Sequence, residues 1–222
     1  MALAIFDLDN TLLAGDSDYL WGTFLTERGI VDGEEFEREN ERFYREYKEG
    51  SLDIFEFLRF SLRPLRDKRP EDLERWLRDF LSEKIEPIIL PMARELVERH
   101  RAGGDTLLVI TATNELVTAP IAERFGIPNL IATVPEKVGG RFTGEVAGTP
   151  SFQEGKVERL LDWAQTAGIE LAGSTFYSDS HNDIPLLERV DYPVAVDPDE
   201  HLRRYASGRG WPLISLRGKR AS

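Results

Sequence analysis

Four consecutive apolar residues, Leu3, Ala4, Ile5 and Phe6, stop at the polar string Asp7-Leu8-Asp9-Asn10-Thr11. That is the pattern of a strand buried on both faces that opens into a polar loop. From about 18 to 84 the apolar spacing changes to three and four, with Tyr19, Leu20, Phe24 and Leu25 followed by Phe36, Phe43, Tyr44 and Tyr47. This predicts amphipathic helices with no strand among them. Ser51 is expected to cap the helix carrying Ile54, Phe55, Leu58 and Leu62, and Pro70 suits the first turn of one carrying Leu73, Trp76, Leu77 and Phe80. The segment reads as a helical module inserted after the first strand.

Beyond it, strands and helices alternate. A helix at about 91–101 stops at Gly103-Gly104 and leads into Leu107, Leu108, Val109 and Ile110, a second buried strand expected to end at Thr111. A helix at about 115–125 closes at Gly126, and apolar stretches 130–134 and 142–146 flank Gly139-Gly140 as a hairpin, expected to be a surface excursion rather than a flap. After a helix at about 155–167, Thr175, Phe176 and Tyr177 form a third core strand running into Ser178-Asp179. A short helix then holds Leu186 and Leu187, and 194–196 make a fourth strand. The alternation predicts an α/β fold, a doubly wound parallel sheet with helices on both faces. Its Rossmann-like core would comprise 1–15 and 88–222, with 16–87 as an inserted helical cap.

A chain of 222 residues holds one sizeable core with room for a small insert. The net charge of -12 argues against nucleic acid or an anionic membrane as partner, and a basic tail at 217–220 is too short to reverse that. The absence of cysteine removes disulfides and thiolate metal sites and fits a reducing cytoplasm. Asp7 and Asp9 interrupt the first apolar run before a signal-peptide core can form, and no run reaches membrane-spanning length. The expected protein is therefore cytoplasmic, monomeric or homodimeric, with a small molecule as its partner.

In such sheets ligands collect beyond the carboxyl ends of the strands. That rim receives Asp7 and Asp9 from the first strand, Thr111 from the second, and Asp179 and Asp183 from the third. Four carboxylates gathered without a cation would have strongly raised pKa values, and a hard divalent ion such as magnesium is the common remedy. His100, His181 and His201 show no metal-triad spacing, and His181 is expected to be an exposed neighbour. Taken singly, each position has a plainer reading. Asp9 to Thr11 could be turn chemistry, Thr111 or Asp183 a helix cap, and Lys156 a solvated surface charge.

Jointly and in order, these residues resemble the haloacid dehalogenase-like hydrolases. The match consists of Asp-x-Asp-x-Thr at Asp7-Leu8-Asp9-Asn10-Thr11, a strand-ending hydroxyl at Thr111, a helix lysine at Lys156 within Gly155-Lys156-Val157, and an acidic pair in Asp179-Ser180-His181-Asn182-Asp183. The resemblance implies a magnesium-dependent phosphatase for small phosphate esters. Asp7 would be the nucleophile, forming an aspartyl-phosphate, and Asp9 the general acid and base. Thr111 and Lys156 would hold the nonbridging oxygens. The implied metal group is Asp7, Asp9 through its backbone carbonyl, Asp179, and Asp183, the last orienting a metal-bound water or Lys156. Thr11, Ala112 and Asn182 are implied at the phosphate or substrate.

The cap between the first and second motifs is similar to that of the phosphoserine phosphatase branch, where an acidic residue soon after the first motif meets the substrate amine. Asp16 stands at that position, as Asp where the branch usually has Glu. Thr111-Ala112-Thr113 replaces the usual Ser-Gly-Gly. Losing glycine removes a close backbone approach that could hold a substrate carboxylate. Histidinol phosphate, an amine without that carboxylate, is the rival substrate. Phosphotransfer or mutase chemistry and a non-catalytic phosphate-binding module are the remaining alternatives. A lid hinged near 14–16 and 86–91 would exclude water during the attack.

Overall fold

The computed structural model describes residues 2–218, so Lys219 and Arg220 of the basic tail lie outside the described residues. Strand β1 (Leu3–Phe6) is buried along its whole length. It pairs in parallel with β2 (Thr106–Asn114) on one side and β5 (Thr175–Ser178) on the other. The remaining strands are β3 (Asn129–Val138), β4 (Arg141–Ala147), β6 (Tyr192–Val196) and β7 (Leu213–Ile214), in the order β4-β3-β2-β1-β5-β6-β7. Only β4 runs antiparallel. Alternate residues of β1 serve opposite faces: Ala4 and Phe6 join one apolar cluster with Val97 and Val109, while Leu3 and Ile5 join another with Leu160 and Phe176. Two buried faces are why the strand reads as an unbroken apolar run. The chain leaves β1 toward β2 in one direction and later reaches β5 in the other, so the crevice of the sheet lies at the end of β1.

Between β1 and the helix α5 (Pro91–Ala102) the structure is helical. It comprises α1 (Ser17–Glu27), α2 (Gly33–Glu49), α3 (Ile54–Leu62) and α4 (Pro70–Phe80), followed by a π turn at Leu81–Ile85 and a 3-10 turn at Glu86–Ile88. The cap of α3 is Asp53 rather than Ser51: its Oδ1 accepts from the N–H groups of Phe55 (3.0 Å) and Glu56 (3.1 Å). Ser51 instead closes α2, its N–H donating to Glu46 O at 2.9 Å after the left-handed Gly50. Entry and exit of the helical segment lie side by side, with Ala14 N donating to Ile88 O (2.8 Å) and Leu90 N to Leu12 O (3.3 Å).

The β3–β4 hairpin is more than a surface excursion. Phe142 is buried in one cluster with Leu58, Leu62 and Leu65. Arg66 Nε donates to Thr143 O at 2.6 Å and Asp67 N to Phe142 O at 3.2 Å. The sheet edge is thus fastened to the helical segment. A second fastening is apolar: Trp21, Phe24 and Leu25 of α1 share that cluster with Val117 and Ile121 of α6 (Glu115–Arg124).

Two further differences from expectation bear on the site. Strand β2 continues past Thr111 to Asn114, with a register shift against β3 between Ile110 and Asn114. After the short helix α8 (Ile184–Leu187) and the expected last strand, the C-terminal part adds α9 (Glu200–Arg209) and β7. Among the described residues no helix is long and apolar enough to cross a membrane.

Candidate active site

Asp7 stands at the mouth of β1, where its N–H still donates to Tyr177 O (2.9 Å) and continues the β1–β5 pairing. The residue is 5% exposed. Lys156, on α7 (Glu154–Ala167), donates from Nζ to Asp7 Oδ1 at 2.8 Å and to Asp183 Oδ2 at 2.8 Å, and Ser178 Oγ donates to the same Asp183 oxygen at 2.7 Å. The first turn of α7 needs glycine before the lysine, because a Cβ on Gly155 would lie 2.2 Å from Pro150 O. Burial alone would lower the Lys156 ammonium, but Asp183 and Asp7 outweigh it and hold its pKa above the ordinary value. Asp7 is pushed up to about 7, by burial first, with Asp183 and Asp9 adding to it against Lys156.

Asp9 is held from two sides. Ser17 N, at the start of α1, donates to Oδ1 at 2.6 Å, and Thr113 Oγ1 donates to Oδ2 at 2.8 Å, with Thr111 Oγ1 at 3.5 Å. Asp16 caps α1, its Oδ1 accepting from Tyr19 N at 2.9 Å. Burial, then the charge of Asp16, raises Asp9 to about 6. Asp179 exchanges two bonds with Thr11: its N–H donates to Thr11 Oγ1 (3.0 Å), and that hydroxyl donates to Asp179 Oδ1 (3.2 Å). Burial, followed by Asp7 and Asp183, holds the Asp179 carboxyl well above its usual range.

Some of these groups, but not Lys156 or Asp183, line a cavity of about 570 Å³, solvent at its mouth included, which lies between the sheet rim and the helices. Asp7, Asp9, Asp16, Thr111 and Ala112 line it, together with Asp18, Thr113, Tyr19, Tyr44, Tyr47 and Phe152. Asp179 borders a neighbouring cleft shared with Tyr47, Lys48 and His181. Thr11 and Asn182, expected at the substrate, do not line the cavity. Thr11 is spent on Asp179, and Asn182 donates to Tyr47 O (3.1 Å) and accepts from Gln153 Nε2 (3.0 Å). The Asp183 carboxylate is taken up by Lys156 and Ser178. His181 is not an exposed neighbour: its Nδ1 lies 2.7 Å from Asp199 Oδ2 and its ring stacks on His201.

Thr113, Ser178, Tyr47 and Asp18 were not singled out in the sequence. Thr113 had a readable signal, since residues two apart on a strand share a face with Thr111. Among the described residues no three His, Asp or Glu side chains converge as a metal cage by themselves. Asp7 Oδ2 and Asp179 Oδ2 nevertheless accept no hydrogen bond from described residues. Two free carboxylate oxygens suit magnesium, which keeps several waters and takes few protein ligands.

Residues 4–188 match the family described as haloacid dehalogenase-like hydrolase. The chain belongs to that family. A relative from Neisseria meningitidis, named histidinol-phosphatase, is 48% identical over 97% of this chain and 99% of its own length. A crystal structure of a protein of unknown function from Bordetella pertussis superposes with a TM-score of 0.91 at 45% identity, covering 97% of this chain and 98% of that one. A substrate-bound phosphoserine phosphatase structure superposes at 0.72 with 21% identity, covering 98% and 93%, and shares the fold. As a haloacid dehalogenase-like phosphatase, the chain is a hydrolase of phosphate monoesters. Phosphatases of this family generally depend on magnesium.

Proposed function

We propose that this chain is a magnesium-dependent phosphatase whose substrate is a small ester bearing a cationic amine and no carboxylate, histidinol phosphate before phosphoserine. The cavity wall carries the choice. Asp16 and Asp18 line it among Tyr19, Tyr44, Tyr47 and Phe152, and no Lys or Arg does so among the described residues. A substrate carboxylate there would meet like charge on the wall itself, while an ammonium would find carboxylates and aromatic side chains. The 48% identity to a protein named histidinol-phosphatase supports the same choice.

Asp7 attacks phosphorus with its carboxylate, forming an aspartyl-phosphate as the ester P–O bond breaks. Asp9, with a pKa raised to about 6, gives its proton to the departing alkoxide. It then takes a proton from the water that attacks the aspartyl-phosphate, which releases inorganic phosphate and restores Asp7. Ser17 N–H and the Thr113 hydroxyl hold Asp9 in place for both transfers. Lys156 and Thr111 offset charge spreading over the nonbridging oxygens. Magnesium, when bound, supplies further charge neutralisation at the phosphate. Asp7, Asp179 and the Asp9 carbonyl would hold it, with Asp183 acting through Lys156. Residues 16–87 serve as the cap on a core of 1–15 and 88–222, and opening near 14–16 and 86–91 admits the ester.

Two measurements test this reading. With magnesium present, kcat/KM for histidinol phosphate should exceed that for phosphoserine by at least ~10-fold; the reverse order would return the choice to phosphoserine. Activity should vanish in EDTA and return on adding magnesium, and full turnover in EDTA would remove the metal from the reaction. The metal also leaves a thermodynamic signature. Asp7 and Asp9 rise from 3.8 to about 7 and about 6 in the folded protein. Between about pH 4 and 7 the folded metal-free chain therefore binds more protons than the unfolded one, and its stability falls as pH rises. The gain in Tm on adding magnesium should accordingly be larger at pH 7.5 than at pH 5.

A further inference from the structure

Asp18 is a buried carboxylate that the hydrolysis does not use. It is the second residue of α1, is 8% exposed, and lines the cavity. Its Oδ1 is shut off from solvent with no hydrogen-bond partner among the described residues. Burial, followed by the charges of Asp16 and Asp9, pushes its carboxyl well above the ordinary range. An unpaired carboxyl in such a place weakens the fold. Its place in the first turn of α1 offsets little of that cost, and the capping role is already taken by Asp16. A polar group kept at a cost to stability, on the wall of a binding cavity, marks a position held for a ligand.

We propose that Asp18 is the ammonium acceptor of this cavity and the residue that selects amine-bearing esters, while one oxygen of Asp16 is committed to holding α1. The inference rests on the reading of the substrate as a cationic phosphomonoester. A protonated amine brings the hydrogen-bond donors that Asp18 lacks, and its charge offsets the two acidic neighbours. Tyr19 and Tyr44, on the same wall, supply aromatic surface for the carbon atoms around that nitrogen.

The test is Asp18→Asn, which keeps the shape and removes the charge, assayed with magnesium on histidinol phosphate and on p-nitrophenyl phosphate, an ester without an amine. The ratio of kcat/KM for the two esters should shift against histidinol phosphate by ~10- to 100-fold, the worth of one charge-assisted hydrogen bond. The Tm of the free enzyme should not fall, because Asn keeps the shape of a group whose Oδ1 has no partner to lose. An unchanged ratio would overturn the assignment, as would equal losses on both esters with a lowered Tm, which would make Asp18 a structural residue. A wild-type enzyme with no preference for the amine-bearing ester would instead overturn the substrate reading on which the assignment rests.

Discussion

Asp7→Asn is expected to lower kcat by ~10⁴ or more while leaving the protein folded. An amide of the same shape keeps the packing at the mouth of β1 but offers phosphorus no nucleophilic carboxylate. The fold should not suffer. Asp7 is raised to about 7 mainly by burial, so at pH 8 its charge is held against that cost, and Asn removes it. Lys156 retains Asp183 as a partner at 2.7 Å. The variant should therefore melt at or above the wild-type temperature at pH 8. Mass spectrometry of enzyme quenched in acid during turnover should find phosphate on the peptide containing Asp7 in the wild type and none in the variant. Turnover within tenfold of wild type, or a phosphorylated variant, would move the nucleophile elsewhere.

What could be read in advance, and what could not, follows from how local each signal is. The unbroken run at β1 announces a strand with two buried faces, and Asp7 and Asp9 fall where that strand ends. Gly155 before Lys156 was visible as a motif, but its reason, the contact with Pro150 O, exists only once the loop has folded back. Tyr47 lies on a stripe with Phe43 and Tyr44 that has the same period whether it faces a core or a cavity. Periodicity shows which face is covered, not what covers it. The same holds for the hairpin: Arg66 and Thr143 are far apart in sequence, and nothing near either residue encodes the contact. His181 looked exposed for a related reason, since Asp199 and His201 reach it from a helix that was not anticipated. Ser51 is a competent cap by residue type, but it is taken up in closing α2, and Asp53 caps α3 instead. Asp18 is the subtlest case. An acidic residue in a first helical turn usually needs no explanation, and only its burial without a partner sets it apart.

Lys156→Met should abolish turnover and also destabilise the protein, the larger structural effect expected of any single site residue. The ammonium is 3% exposed and within 2.8 Å of both Asp7 and Asp183. Removing it leaves two buried carboxylates facing each other across an apolar side chain. Breaking a buried pair in this way costs about 3–5 kcal/mol, which for a chain of this length corresponds to a fall in Tm on the order of 10 °C. The pH dependence separates this from a simple packing defect. Lys156 lies above its ordinary pKa, so its contribution is fully present below the unfolded-state value and is lost only at strongly alkaline pH. Asp7 already titrates near 7 and would be driven higher without the ammonium, so at pH 5 it carries a proton and the repulsion fades. In metal-free buffer the deficit in Tm should therefore be large at pH 8 and clearly smaller at pH 5, whereas a packing defect would give the same deficit at both. Adding Asp183→Leu to Lys156→Met should recover much of the stability, because an apolar pair replaces a broken ionic one. It should recover none of the activity, because the charge that steadies the phosphoryl group would still be missing. Recovery of turnover in the double variant would show that Lys156 serves the fold alone.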